Sequence, residues 1–177
     1  MTIGHQAGKA PEELVRGQLR VFDSVILTTQ KVKHPQFLLF FICSKSPTYS
    51  QQFLAFLVQK IIDNSASQLT KTTAISYIAS YIARAKFVSP SLIHSTLVTL
   101  CSWAVAYAKE NSTHKDDFDR HLMFYHLCQA IFYMFCFRFE QILDRTTREE
   151  CLSTFNLISI IQSSLNPFMV GSTSMTE

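Results

Sequence analysis

TAISYIASYIARAKFVSP, residues 73–90, is the stretch whose reading decides the fold. Ile75, Ile78, Ala79 and Ile82 recur at i, i+3, i+4 and i+7, the spacing of one buried helical stripe. Ala74, Ser76, Ser80, Ala83 and Ala85 are small enough to let neighbouring helices approach closely. Arg84 and Lys86 close the segment, where cations complement the negative end of a helix dipole. Ser89-Pro90 then restarts a helix with a capping residue and a proline at the first helical position. Packed helices with a charged rim are the expectation.

Working outward, the same punctuation recurs. Pro11, Glu12 and Glu13 open a first helix running to about Thr28, with Leu14, Leu19, Phe22 and Ile26 as apolar anchors. QKVKHP breaks it, and Pro35 opens the apolar piece QFLLFFICS. Ser46-Pro47 starts a helix to about Asn64 whose stripe is Phe53, Leu54, Leu57 and Ile61. Ser89-Pro90 starts one to about Ala108, and NSTHKDDFD at 111–119 reads as an exposed loop. A long helix follows to about Leu143. Thr146 and Glu149 are spaced as a capping box for a short helix, and NLISIIQSSLN forms a last one before Pro167.

With few glycines and prolines in 177 residues, the composition favours helices, and 47% hydrophobic content suffices to bury a core. The fold class expected is all-α: antiparallel helix pairs in a HEAT- or armadillo-like solenoid, because the spans 47–86 and 90–145 each approximate the roughly 40–47 residues of such a unit. The expected organisation is a disordered segment at 1–11, a single HEAT-like domain over 12–167 and a mobile tail at 168–177.

The formal charge of +3 is too small for non-specific nucleic-acid binding by field alone. Cys43, Cys101, Cys128, Cys136 and Cys151 include no CxxC pair and lie in or beside apolar runs, which reads as reduced, mostly buried thiols. No apolar signal core opens the chain, so a reducing compartment is expected. Residues 122–137 are nearly all apolar but shorter than the roughly 20 residues of a spanning helix, so no membrane segment is expected.

The sequence carries no phosphate loop, dinucleotide fingerprint or nucleophile elbow, so neither an enzyme nor a cofactor nor a small-molecule substrate is expected. His114, Asp116, Asp117, Asp119 and His121 could ligate a metal, but carboxylates at a helix entrance suit the dipole, and no metal is expected. His126, on the apolar helix, reads as a core histidine rather than a base. Ser46 and Ser89 precede proline and could accept phosphate, although helix capping explains both positions more simply.

Three stretches in one order resemble the family of RNA polymerase I-specific transcription initiation factors, called TIF-IA in mammals. YIASYIARAKFVS at 77–89 resembles that family's helix ending in Ala-Arg-Ala-Lys-Phe. CQAIFYMFCFRFEQIL at 128–143 is similar to its aromatic segment, and FNLISIIQSSLNP at 155–167 to the motif closing its helical array. VFDSVILTTQ and QFLLFFICS extend the resemblance over residues 21–167. It implies a HEAT-type solenoid from the C-terminal part of a longer array. It further implies a non-enzymatic factor of the nucleus and nucleolus that joins RNA polymerase I to promoter-bound core factor for ribosomal RNA synthesis, under control by phosphorylation.

Arg84 and Lys86, inside the resembling motif, are the first candidates for partner contact. Tyr77, Tyr81 and Arg84 recur at i, i+4 and i+7 as a face of two aromatics and a cation, although burial of both tyrosines between helices is the favoured reading. Arg138 reads equally as a contact or an internal tether. The alternative function is a generic helical interaction scaffold or truncated paralogue that has lost polymerase docking. Homodimerisation and a weak DNA contact stay open as further readings.

Overall fold

The computed structural model describes residues 9–26, 35–113, 119–143 and 148–168, and every regular element among them is helical. In order these are α1 (Lys9–Val21), a π-helical turn (Phe22–Ile26), α2 (Pro35–Cys43), α3 (Pro47–Ile62), α4 (Gln68–Arg84), α5 (Pro90–Glu110), a 3₁₀ turn (Asp119–His121), α6 (Leu122–Leu143), α7 (Arg148–Thr154) and α8 (Leu157–Ile161). The chain folds as the expected all-α helical repeat. Its contacts gather into two units, 1–74 and 75–177.

In the first unit Val15 and Phe22, seven residues apart, are buried, while Leu19 is only half-buried. Of the expected anchors Phe22 is thus buried and Leu19 partly so, Val15 joins them, and the side chains of Leu14 and Ile26 lie outside the described residues. The Ser24 hydroxyl donates back to the Arg20 carbonyl at 3.0 Å, a contact that bends helices and accompanies the widening of α1 into a π turn. The α3 stripe Phe53, Leu54, Leu57 and Ile61 is buried as expected. Phe53 meets Phe22 edge-on at 5.4 Å and Phe40 at 6.0 Å. The buried Ser50 hydroxyl donates to the Cys43 carbonyl at 3.2 Å, closing the α2–α3 corner. Lys60 pairs with Asp23 at 2.8 Å.

The capping serines divide by mechanism. Ser89 accepts from the Leu92 amide at 3.3 Å, whereas Ser46 makes no side-chain cap bond and acts through its extended backbone and its carbonyl, which accepts from Tyr49 at 3.1 Å. Ser67, read only as part of a polar turn, accepts from the Thr70 amide at 3.1 Å ahead of α4.

In the second unit α5 and α6 run antiparallel. Tyr107 stacks on Phe124 at 5.8 Å at one end, while His94 and Phe135 both contact Phe155, at 5.0 and 5.2 Å, at the other. The segment running through α6 is longer than the apolar run 122–137 suggested. It and α5 are long and apolar enough to cross a membrane by length and composition, but each spends its apolar stripe on helix packing. The last helix is shorter than expected, ending at Ile161. Ser163 and Ser164 then favour local turns over helix, and Asn166 takes the left-handed region at φ 45° before Pro167. The buried Tyr125 hydroxyl donates to the Leu165 carbonyl at 2.9 Å, anchoring that turn. The thresholds at Thr28, QKVKH, Thr146 and most of the 111–119 loop lie outside the described residues, as do 1–8 and 169–177.

Candidate protein-interaction site

The stripe read from residues 73–90 holds. Ile75, Ile78, Ala79 and Ile82 are all buried. The small residues divide: Ala74 and Ala85 are buried, whereas Ser76 faces solvent and Ser80 and Ala83 are half-buried.

The end of α4 is built by its own backbone and by one long side chain from α6. Past Arg84 the helix cannot serve its last carbonyls, and the chain tightens into turns, with Lys86 N–H donating to Arg84 O at 3.0 Å and Val88 N–H to Ala85 O at 3.0 Å. Arg138 supplies further donors. Its Nε donates to Ile82 O at 2.6 Å, its Nη2 to Ala85 O, and its Nη1 to Gln141 Oε1 at 3.0 Å. Arg138 is 3% exposed, and no carboxylate pairs with its guanidinium among the described residues. Burial pulls its pKa down from the ordinary value, but an arginine stays protonated in proteins, and its charge is set against the negative end of α4. Arg138 is therefore buried as a tether between α6 and the end of α4.

Tyr81 is likewise inside, fully buried, because the turn after Arg84 folds Phe87 back over it, ring edge to ring at 6.0 Å. The favoured burial of the tyrosines thus holds for Tyr81, and the alternative face of Tyr77, Tyr81 and Arg84 does not form. Tyr77 is half-buried, and this burial raises its phenol pKa. Arg84 is exposed, its Nη1 donating to Ser80 Oγ, and Lys86 is exposed one residue beyond the helix. What reaches solvent is a basic corner, Arg84 and Lys86, beside the half-exposed ring of Phe87.

His126 is exposed, which corrects the expectation of a core histidine. The buried stripe of α6 runs through Phe124, Leu127, Cys128, Ile131, Met134 and Arg138, and His126 falls on the opposite face with Gln129, Tyr133 and Phe137. Among the described residues the buried histidine is His121, hydrogen-bonded through Nδ1 to the Tyr107 hydroxyl at 3.0 Å. Asp119 is exposed, and the other members of the metal-ligand cluster considered from sequence, His114, Asp116 and Asp117, lie outside the described residues.

A site missed in the sequence is an open groove of about 290 Å³ between α4 and α6. Ile75, Ser76, Ala79 and Ser80 line one side and His126, Gln129, Ala130 and Tyr133 the other. Since residues 75–80 face 126–133 and residues 82–85 face Arg138, the two helices run parallel here. The only signal for it was the small-residue run on α4.

Cys43, Cys101, Cys128 and Cys151 are buried and Cys136 is exposed. Burial, and secondarily a neighbouring thiol, push Cys101 and Cys128 up to about 12. Hence in the native protein at pH 8 an aromatic disulfide reagent titrates Cys136 rapidly and the buried thiols only on unfolding. Cys136→Ser removes the fast phase; rapid reaction of further thiols would contradict this burial.

The sequence pattern of the family described as RNA polymerase I specific transcription initiation factor RRN3 matches residues 5–177. The RNA polymerase I-specific transcription initiation factor RRN3 of Mus musculus is 32% identical over 164 residues, covering 90% of this chain and 25% of the mouse protein. The Schizosaccharomyces pombe factor of the same description is 31% identical over 126 residues, covering 70% of this chain and 21% of its own length. The crystal structure of RNA polymerase I transcription initiation factor Rrn3 superposes with a TM-score of 0.80 at 26% identity, covering 89% of this chain and 33% of the solved one. The chain thus spans about a quarter of the length of the curated relatives it matches.

Proposed function

Because the chain belongs to the RNA polymerase I specific transcription initiation factor RRN3 family, we propose that it serves RNA polymerase I initiation by joining the polymerase to promoter-bound core factor. The reading places it in the nucleus and nucleolus, as part of a HEAT-type array that acts by binding rather than by catalysis. Stacked helices offer long edges and grooves for such surface recognition.

The observation that carries the residue assignment is the basic corner. Arg84 and Lys86, within the motif that resembles the family, stand in solvent on a backbone clamped from behind by Arg138. Clamping lowers the ordering cost of binding, since the two cations start from a fixed helix end. Tyr77 is assigned to the margin of the same contact, while Tyr81 and Arg138 shape it from inside.

The test is capture from nuclear extract with the purified chain as bait. Wild type retains RNA polymerase I or core factor, and Arg84→Glu combined with Lys86→Glu lowers retention about tenfold, since reversed rim charges repel a complementary surface. Capture of neither complex by wild type, or equal capture by the variant, sinks the assignment. Retention by rDNA promoter fragments that falls steeply with salt would instead identify the corner as a phosphate contact.

A further inference from the structure

The groove between α4 and α6 has a floor, two walls and a charged lip. Ile75, Ala79 and Ala130 form an apolar floor, Ser76 and Ser80 keep the α4 wall low, and Gln129 and Tyr133 raise the α6 wall. Tyr133 continues into Phe137, 4.5 Å away between ring centroids and 59% exposed, so the aromatic wall extends past the groove. The Arg84 guanidinium is bonded to Ser80 Oγ and therefore sits on the lip, and His126 stands at the opposite end. Among the described residues no carboxylate lines the groove; Glu140 lies farther along α6, a turn beyond Phe137.

We propose that this groove docks an acidic amphipathic helix of a partner protein, with its apolar stripe on Ile75, Ala79 and Ala130 and a carboxylate on Arg84. The groove is open rather than enclosing, which suits a helix laid across it better than a buried small molecule. The span from residue 75 to residue 84 is about 14 Å at 1.5 Å per residue, the length of two to three helical turns. Small residues on the floor let the incoming backbone approach to the short end of the helix-packing range. Arg84 puts positive charge on the lip, and the described lining residues bring no carboxylate, so a basic helix is disfavoured there. The groove is separate from the Lys86 corner and shares only Arg84 with the function proposed above.

The experiment uses the ¹⁵N-labelled full chain and a synthetic helical peptide of about 15 residues, with leucines at i, i+4 and i+7 on a Glu/Ala background, and its Lys-for-Glu counterpart. The acidic peptide produces saturable amide shifts confined to residues 75–84 and 126–137, with a dissociation constant of roughly 10–100 µM. The basic peptide binds about tenfold more weakly, and Arg84→Gln weakens only the acidic one, by about two- to fivefold. Ser76→Trp, filling the groove from its exposed lip, abolishes the shifts at unchanged circular dichroism; Tyr133→Ala provides a second variant that removes a wall. Equal binding of both peptides, shifts outside the groove, no saturable shifts, or binding indifferent to both variants overturns the proposal. Since only the purified chain and a peptide are involved, failure to capture polymerase I leaves this result unaffected.

Discussion

Arg138→Met is expected to lower stability by about 2–4 kcal/mol, because charge-assisted hydrogen bonds to Ile82 O and Ala85 O are lost and one buried helix-end carbonyl is left without a donor. For a chain of this size that corresponds to a fall in melting midpoint of roughly 5–15 °C. The offset is the desolvation of the guanidinium, which methionine no longer suffers, so the loss stays below the sum of the bonds. Arg138→Lys keeps the charge but not the planar fork that reaches Ile82 O, Ala85 O and Gln141 together, and falls between the two. Amide exchange at Lys86 and Val88 quickens in both variants, as their turns lose the anchor. Arg84→Met, on an exposed side chain, changes the midpoint little. Equal midpoints for Arg138→Met and wild type would show that the clamp stabilises nothing.

Phe155→Ala is expected to cost about 3–5 kcal/mol, the loss of a fully buried aromatic together with the cavity it leaves. Phe155 lies between His94 of α5 and Phe135 of α6, so its removal loosens three elements at one point. Phe137→Ala, eighteen residues earlier and 59% exposed, leaves the midpoint nearly unchanged. The contrast is measurable by thermal melts followed by circular dichroism. Were Phe155→Ala as benign as Phe137→Ala, the packing described for the second unit would be wrong.

These two phenylalanines also mark how far a linear reading reaches. The helices were legible because their signals are local: Ser-Pro starts at 46–47 and 89–90, apolar stripes at i, i+3 and i+4, and polar breaks between them. Departures came where a local competitor stood, as at Ser24, whose hydroxyl bonds back to Arg20 where α1 widens, or at Ser163 and Ser164, which follow the early end of α8. On α6 the apolar residues nearly encircle the helix, so no stripe stood out to say that His126 faces water and Cys128 does not.

The sequence by itself determined the all-α class, the helix starts and the buried stripe of α4, since each depends on residues within a few positions of one another. Only the tertiary structure decided which candidate side chains meet solvent. Tyr81 is covered by a ring from the turn that follows its own helix, and Arg138 is consumed by carbonyls 53 and 56 residues away, leaving Arg84 and Lys86 outside. A cation's role follows from the partners that surround it, and partners that distant leave no periodic trace along the chain.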